Sequence, residues 1–228
     1  EFDKFADEYR EIHKANIRIT GEEPEFFSAY KVNDIQTVWQ ARNPETAAMR
    51  ILDFGGGTGA SAPYLRKCFG KADIVIADVS QKSLDIAATR EVERLETVWF
   101  DGAKLPFEDN SFDIALAACV FHHIPEEKHT ILLGDIRRVL KPSGQLFVFE
   151  HNPWNPLTVH AVNTCPFDEN AVLIPAPEMR RRMAKAGFRN CKVAFRIFFP
   201  NMLRGLRGLE RYMTHVPLGA QYRSEGEA

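Results

Sequence analysis

The sequence lacks several features that would set a chain of this size apart from ordinary globular proteins. No apolar run approaches the roughly 18 residues that a membrane span needs, and the charged N-terminus, EFDKFADEYREIHK, is unlike a signal peptide. The four cysteines form no C-x-x-C pair and the histidines show no metal-ligand spacing, so we expect reduced thiols, a cytoplasmic location and no metal site. The 29 Lys and Arg nearly balance the 31 Asp and Glu, so no basic excess indicates nucleic acid as a partner.

The sequence has the composition of one folded domain with an N-terminal extension. Hydrophobic residues make up 45% of the 228 and charged residues 26%, which excludes a disordered chain and a collagen-like repeat. In residues 1–48, aromatic and aliphatic side chains recur at helical spacing. The pattern changes at residue 49. We therefore predict an N-terminal helical lid over residues 1–48 and a second domain over residues 49–228.

Short apolar runs alternate with amphipathic stretches in the second domain. Near-continuous apolar strands separated by helices, here near 59–69, 80–94 and 126–140, are typical of a parallel sheet that is buried on both faces. Residues 152–174 are predicted to be a long loop, followed by a helix near 175–187, a sixth strand near 189–199, a further helix and a last short strand. The first five predicted strands are Arg50–Phe54, Ile74–Asp78, Thr97–Phe100, Phe112–Cys119 and Gln145–Glu150.

A glycine-rich segment follows the first of these strands. In ILDFGGGTG, residues 51–59, an apolar strand runs into four glycines and then into a predicted helix. Glycine permits positive φ and lets a ligand approach the backbone, and the free N–H groups of a helix N-terminus suit an anion. The stretch Gly55-x-Gly57-x-x-Ala60 also satisfies the dinucleotide fingerprint, so the loop alone does not distinguish between nucleotide cofactors.

Acidic side chains end three successive predicted strands. Asp78 follows Asp53 by 25 residues, and Asp101 comes another 23 residues later. A single Asp at a strand end is about as often a helix cap or a turn former as a ligand group. Three of them at the carboxyl ends of successive strands indicate a binding site, because ligands bind at that edge of an open sheet. Asp78 is placed to bind ribose hydroxyls, and Asp101 suits an adenine amino group.

These segments resemble the motifs of the class I S-adenosylmethionine-dependent methyltransferases. ILDFGGGTG is similar to their first motif, IVIADVS to their second-strand acid motif, and FDGAKLPFEDNSFDIALAACVFHHI to their third and fourth strands. VLKPSGQLFVFEHN is similar to their fifth-strand motif, with Ser143 where Gly is commoner. The resemblance implies an α/β fold: a Rossmann-like, doubly wound, mostly parallel seven-stranded sheet of order 3-2-1-4-5-7-6. It also implies S-adenosyl-L-methionine as the cofactor.

The resemblance further implies roles toward that cofactor. Asp53 and the loop glycines would surround its methionine part, Asp78 would bind the ribose, and Asp101 would bind the adenine amino group. Tyr9 would contact the cofactor from the N-terminal segment, although plain helix packing explains it equally well. The other cofactor-binding residues would be Gly55, Gly57 and Gly59 in the loop, Val79 and Gly102 beside adenine, and Cys119 near the methionine part.

Polar side chains after the fourth and fifth strands are the candidates for acceptor chemistry. Methyl transfer is an in-line displacement, which needs alignment and, for a protonated nucleophile, a general base. The alternatives are a packed wall residue for the His pair and a loop held by Asx turns and prolines for residues 150–156. The candidate bases are His122, His123, Glu150 and His151, and the candidate substrate-binding residues are Asn152, Trp154, His13 and Tyr30.

A basic region lies toward the C-terminal end. Between Arg180 and Arg211 there are ten Lys and Arg and a single acid, Glu210, with leucines and arginines both at helical spacing. This pattern fits a solvated amphipathic helix. It also fits a surface for an anionic partner, such as a phosphate-bearing carrier or a membrane face.

The predicted function is methyl transfer from S-adenosylmethionine to an O, N or C atom of a small-molecule acceptor. One alternative is an NAD(P)-binding oxidoreductase with the same glycine loop, but the sequence has no Tyr-x-x-x-Lys pair and Asp101 would have no role there. The other alternative is a non-catalytic S-adenosylmethionine-binding protein, against which the polar cluster at 150–154 argues.

Overall fold

The computed structural model describes residues 9–43 and 49–228. The remaining parts of the predicted lid, residues 1–8 and 44–48, lie outside the described residues, as do the side chains of residues 9–11, 13 and 19. The helices are α1 Tyr9–Asn16, α2 Pro24–Arg42, α3 Ala62–Phe69, α4 Gln81–Ala88, α5 Glu126–Val139, α6 Pro156–Asn163 and α7 Ala176–Lys185. Short 3₁₀ helices span Ile17–Thr20, Phe121–His123, Pro166–Asp168 and Asn201–Tyr212.

Seven strands form one sheet in the order β3-β2-β1-β4-β5-β7-β6. Strands β1 to β5 are parallel to one another, and β7 is antiparallel to both β5 and β6. This confirms the predicted fold class and strand order. The strands are β1 Arg50–Phe54, β2 Asp73–Asp78, β3 Leu95–Trp99, β4 Phe112–Ala118, β5 Leu140–His151, β6 Arg189–Arg196 and β7 Gln221–Glu227.

The sheet is covered on both faces. Successive strand residues point to opposite sides, so strands β1 to β5 contribute to two apolar cores. Leu52 and Phe54 of β1 belong to one apolar core, which includes Leu133 of α5 and Met179 of α7. Ile51 lies in the other core with residues of α2 and α3. Apolar strand residues on both faces therefore find partners, as the near-continuous apolar runs predicted.

Helix α2 is part of the second core. Val32 and Ile35 are fully buried against that face of the sheet, and Trp39 is almost completely buried. At the far end of the sheet, Asp34 forms ion pairs with Arg196 of β6 and with Arg223 of β7. The end of the predicted lid segment is thus packed into the sheet domain by both apolar and charged contacts.

The structure corrects four details of the predicted elements. The long loop at 152–174 contains α6, which begins where the Asn155 side chain accepts hydrogen bonds from the N–H groups of Leu157 and Thr158. Helix α4 ends at Ala88 rather than near residue 94, and Glu91 and Arg94 follow it with positive φ. Strand β5 begins at Leu140, earlier than predicted, and the pairing of β4 with β5 shifts register between Phe112 and Ile114. The predicted helix at Asn201–Tyr212 has 3₁₀ geometry and is kinked at Leu203.

Candidate active site

The glycine loop turns sharply at the carboxyl end of β1. Gly55, Gly57 and Gly59 all have positive φ, at 67°, 52° and 71°, which other residues adopt only with strain. A Cβ on Gly55 would lie 2.6 Å from the Val120 side chain, so this position also lacks room for one. Apart from its chain neighbours, no atom of the described residues lies within 4 Å of the Cβ position of Gly57. The loop is therefore closed against the protein at Gly55 and open to a ligand at Gly57.

Asp78 holds this loop to the next strand. Its carboxylate accepts a hydrogen bond from the Gly57 N–H at 2.8 Å and another from the Ser80 N–H at 2.9 Å. These bonds fix the carboxylate at the carboxyl end of β2, beside the open part of the loop. The helix-cap explanation does not apply here, because the N-cap of α4 is Ser80, which accepts from the N–H of Ser83.

Asp101 follows β3 and is exposed. Its carboxylate accepts hydrogen bonds from the N–H groups of Ala103 at 2.9 Å and Lys104 at 3.3 Å, which lower its pKa. The turn-former explanation therefore describes Asp101 in this structure. Nearby, Gly102 has a φ of 77°, and a Cβ on it would touch Val79, an exposed apolar side chain.

Asp53 is the most unusual acid of the three. It is almost completely buried, and its Oδ2 atom has no hydrogen-bond partner in the described part of the chain. Burial raises its pKa, the neighbouring Asp78 raises it further, and Lys31 and Ser61 only partly offset this, so that the pKa lies at about 7. A buried carboxylate oxygen without a donor is complementary to a cationic group of a ligand.

Lys31 reaches the same region from α2, and the sequence analysis missed it. Its side chain is only 8% exposed, and its Nζ lies 3.6 Å from the Sγ of Cys119. A signal was present in the sequence, since Lys31 is four residues from both Phe27 and Ile35 on the buried side of the helix. A lysine in phase with an apolar stripe needs a buried partner.

Cys119 follows β4 in a left-handed conformation, with φ at 60°. Its Sγ lies near Lys31 and 3.8 Å from Nε2 of Gln221. Burial raises the pKa of the thiol, but Lys31 and His151 outweigh it and bring the pKa to about 7. The thiol is therefore held at a polar junction between α2, β5 and β7.

Glu150, one of the predicted bases, is held by hydrogen bonds at both of its carboxylate oxygens. It is completely buried, and its Oε1 accepts hydrogen bonds from the N–H groups of Val120 at 3.2 Å and Phe121 at 2.8 Å. Its Oε2 is hydrogen-bonded to Nδ1 of His122. Although burial raises the pKa of this carboxyl, His122 and His151 lower it below its usual range.

The pKa values of the two histidines after β4 shift in opposite directions. Burial lowers the pKa of His122, but Glu150 and Asp168 outweigh it and raise the pKa to about 10. Burial and the neighbouring His122 lower the pKa of His123 to about 4. The pKa values of these two neighbouring rings are therefore shifted in opposite directions. The role of either ring as a general base stays a prediction.

Asp168 completes this cluster, although no sequence signal pointed to it. One of its oxygens, Oδ1, lies 3.5 Å from Nε2 of His122 and 3.4 Å from Nε2 of His123. The ring of His151 lies 5.2 Å from that of His122. All four predicted bases are therefore brought together, as their positions after the fourth and fifth strands implied.

The described substrate-binding candidates are each held by different partners. The side chain of Asn152 is buried and donates hydrogen bonds to the carbonyls of Pro217 and Gly219, which makes it a loop anchor. Trp154 is 46% exposed and packs near Phe195 of β6. Tyr30 donates a hydrogen bond to Gln221, and its ring contacts Phe149. The side chains of Tyr9 and His13 lie outside the described residues.

Comparison with known proteins agrees with this geometry. A family described as "Methyltransferase domain" matches residues 52–148. The ubiquinone/menaquinone biosynthesis C-methyltransferase of Ectopseudomonas mendocina is 32% identical over 125 residues, 52% of this chain and 48% of that protein. The corresponding enzyme of Pseudomonas putida is 34% identical over 128 residues, 53% of this chain and 49% of that protein. The chain thus spans about half the length of these curated relatives.

Solved structures share the fold over most of the chain. An S-adenosylmethionine-dependent methyltransferase from Aquifex aeolicus is 19% identical with a TM-score of 0.64, over 90% of this chain and 93% of that one. Phosphoethanolamine N-methyltransferase 2 of Haemonchus contortus, solved with S-adenosylmethionine, is 19% identical with a TM-score of 0.61, over 86% of this chain and 52% of that one. In its matched segment and its strand order, the chain is similar to the class I S-adenosylmethionine-dependent methyltransferases.

Proposed function

We propose that this chain transfers the methyl group of S-adenosylmethionine to a small-molecule acceptor. The observation that carries the proposal is the arrangement of Asp53, Asp78 and Asp101 at the carboxyl ends of β1, β2 and β3, around a glycine loop that is open at Gly57. Neither an oxidoreductase nor a non-catalytic protein has support among the relatives, whose names describe methyltransferases.

The described residues suit this cofactor. The unpartnered Oδ2 of Asp53 would accept from the ammonium of the methionine part, and Asp78 would accept from the ribose hydroxyls. The exposed Val79, with Gly102 beside it, would offer a flat apolar surface to the adenine ring. Cys119 would lie at the methionine end of the site. Asp101, exposed and held by backbone N–H groups, would accept from the adenine amino group.

The bound cofactor would supply an electrophilic methyl on a sulfonium sulfur. The acceptor's electron pair would form the new bond to the methyl carbon, the C–S pair would return to sulfur, and the acceptor would lose a proton. Among the four predicted bases, Glu150 and His122 are engaged with each other. We propose that His151 takes this proton, since it lies beside both Cys119 and His122 at the end of β5. The names of the relatives favour a carbon acceptor.

The test separates binding from turnover. Asp78→Asn should weaken S-adenosylhomocysteine binding about tenfold or more by isothermal titration, because it removes charge-assisted hydrogen bonds. Asp85→Asn, at an exposed acid of α4, is the matched control and should bind normally. His151→Asn should retain binding but lower turnover by about 10²–10⁴-fold on the acceptor. Equal affinity in folded Asp78→Asn and wild-type protein would refute the assigned cofactor site.

A second proposal concerns the 3₁₀ helix Asn201–Tyr212, which we propose rests on an anionic membrane surface. With 3.0 residues per turn, every third side chain falls on one edge of such a helix. After a kink at Leu203, the side chains of Leu206, Leu209 and Tyr212 follow that spacing, and all three are exposed, with Tyr212 at 71%. No helix in the described ranges is long and apolar enough to cross a bilayer, so contact would be peripheral.

The charges next to this apolar edge support an anionic partner. Arg204 and Arg211 are exposed on the same helix. Arg207, in contrast, forms an ion pair with Glu22 and stacks on Phe26, so it is part of the fold. Arg182 and Arg196 are also used in internal ion pairs. Part of the basic excess in residues 180–211 is therefore paired with acids inside the fold, and Arg204 and Arg211 lie exposed beside the leucines.

Vesicle sedimentation tests this surface. Wild-type protein should co-sediment with vesicles that contain anionic phosphatidylglycerol, and less with neutral vesicles or at high salt. Leu206→Ser with Leu209→Ser should abolish co-sedimentation, since these side chains lie at the exposed edge. Ile131→Ser, at an exposed apolar residue of α5, is the matched control. Equal sedimentation of both variants would refute the membrane surface.

All four cysteines are free in the structure, which supports a reducing, cytoplasmic location as a further part of the proposal.

A further inference from the structure

Three metal-ligating side chains converge beside the proposed acceptor site. His122, His123 and Asp168 each offer a ligand atom, and these atoms lie within 4.8 Å of one another. They come from two short 3₁₀ helices, Phe121–His123 and Pro166–Asp168, that are 43 residues apart at their nearest ends. The segment after the second helix is tied to the first by the Val172 N–H, which donates to the His122 carbonyl at 2.8 Å.

The distances suit a tetrahedral ion. Ligand atoms at about 2.0–2.2 Å from a tetrahedral zinc ion are separated by roughly 3.3–3.5 Å. The Oδ1 atom of Asp168 lies 3.5 Å from Nε2 of His122 and 3.4 Å from Nε2 of His123. These separations are too long for good hydrogen bonds but match two edges of a tetrahedron.

His122 is oriented as a metal ligand. Its ring is buried, and its Nε2 has no hydrogen-bond partner in the described part of the chain. Its Nδ1 is hydrogen-bonded to Glu150, whose other oxygen is held by two backbone N–H groups. Metal-ligating histidines commonly donate their second ring N–H to a carboxylate, which fixes the tautomer and the ring orientation. The buried Nε2 is therefore aimed at the site by an anchored partner.

We propose that His122, His123 and Asp168 bind one divalent transition-metal ion, of the zinc class. Two imidazoles and one carboxylate favour zinc and its neighbours over magnesium or calcium, which prefer oxygen ligands. Three protein ligands leave a fourth position for water or for an acceptor oxygen, as in catalytic zinc sites. The metal would also clamp the segment 166–172 onto the end of β4. This proposal does not depend on the proposed methyl transfer.

The experiment uses the full chain, treated with chelator and titrated with zinc chloride in a calorimeter. We expect one zinc ion per chain, and cobalt chloride should give the visible absorption of a four-coordinate site. His123→Gln and Asp168→Asn should each weaken zinc binding about tenfold or more. His160→Gln, at an exposed histidine of α6, is the matched control and should bind like wild type.

Two further measurements keep the result interpretable. Circular dichroism should show that each variant is folded, and S-adenosylhomocysteine affinity should be unchanged in His123→Gln, so that failure of the metal site is distinct from failure of the cofactor site. Stoichiometric zinc binding that both ligand variants leave intact would overturn the proposal. So would the absence of zinc binding to folded wild-type protein, in which case His122 is only an imidazolium held between Glu150 and Asp168.

Discussion

The buried carboxyl of Asp53 lowers the stability of the folded protein, and a bound cationic group would offset that cost. Its carboxyl is buried beside Asp78, and its pKa is raised from 3.8 to about 7. In the unfolded chain the same group ionises near its ordinary pKa. Folding therefore holds a proton that the unfolded chain releases, and stability is lost as the pH rises from 3.8 toward 7.

Asp53→Asn should stabilise the protein and weaken its cofactor binding. The stability gain over wild type should widen by about 1.4 kcal/mol between pH 6 and pH 8 and level off above that, because the wild-type group finishes ionising there. Urea unfolding at the two pH values measures it. Asp73→Asn, at a half-exposed acid of β2, is the control and should show a much smaller pH dependence. A gap that is constant across this range would contradict the raised pKa.

The residue types at the cofactor end of the site could be predicted from sequence, because glycines and acids mark the ends of strands. The remainder could not. Lys31 and Asp168 belong to segments whose distance from β4 is set only by the packing of α2 and of the chain after α6. The sequence places Glu150 at the end of the fifth strand, and it was predicted as a base for that reason. The sequence does not show that Glu150 accepts hydrogen bonds from the N–H groups of Val120 and Phe121.

At the scale of elements, α2 decides whether the N-terminal segment is a separate lid. Its fully buried Val32 and Ile35 share a core with Ile51 of β1 and Phe147 of β5. A segment packed in this way contributes to the stability of the sheet as well as to the site.

Ile35→Ala should destabilise the whole sheet domain by about 2–5 kcal/mol, since it leaves a cavity under the sheet. Urea unfolding followed by the fluorescence of the tryptophans measures the loss. Gln40→Ala, at an exposed position of the same helix, should change stability by no more than about 0.5 kcal/mol. If Ile35→Ala left the unfolding midpoint unchanged, α2 would be only loosely attached.

The helices and strands were predicted correctly where the apolar pattern was strong. The prediction failed where a few residues at the start of a helix determined the structure. Strand β1 has the predicted bounds because five residues with mainly apolar side chains precede the glycines. Helix α6 was missed because the prolines and asparagines around it indicate a loop, although Asn155 followed by Pro156 is also a helix start. The 3₁₀ geometry of residues 201–212 was missed because spacings of three and four are hard to separate in a short segment.

At the scale of the whole molecule, the last pair of strands depends on one tight approach. Gly219 lies just before β7, and a Cβ on it would be 2.5 Å from the carbonyl oxygen of Arg196 at the end of β6. Backbone cannot move aside as a side chain can. The carbonyls of Gly219 and Ala220 also accept hydrogen bonds from Asn152, so the same turn joins β7 to the chain after β5.

Gly219→Ala should therefore destabilise the protein by about 1–3 kcal/mol or more through overpacking. Gly208→Ala, in the 3₁₀ helix with no atom within 4 Å of its Cβ position, should be neutral or slightly stabilising. Thermal unfolding of both variants measures the contrast. Similar melting temperatures for the two would show that the turn before β7 relaxes without cost.

The strand order itself was predicted from the resemblance rather than from the residues of β6 and β7. The central parallel strands have apolar runs that identify them, whereas β7 reads QYRSEGE and is buried with its charges. Arg223 is paired with Asp34 and Glu225 in the folded sheet. Such a sequence resembles an exposed loop until its partners on α2 and β6 are known.

The insertion of β7 between β5 and β6 sets an order of events during synthesis. In the sheet, β6 pairs with β7 alone, yet it leaves the ribosome first. For that interval β6 is a strand without a partner, and such strands invite pairing between nascent chains. The exposed Arg189 and Lys192 place positive charges along β6 before β7 has been synthesised. Repulsion between copies on neighbouring ribosomes of one messenger would then protect it until β7 arrives.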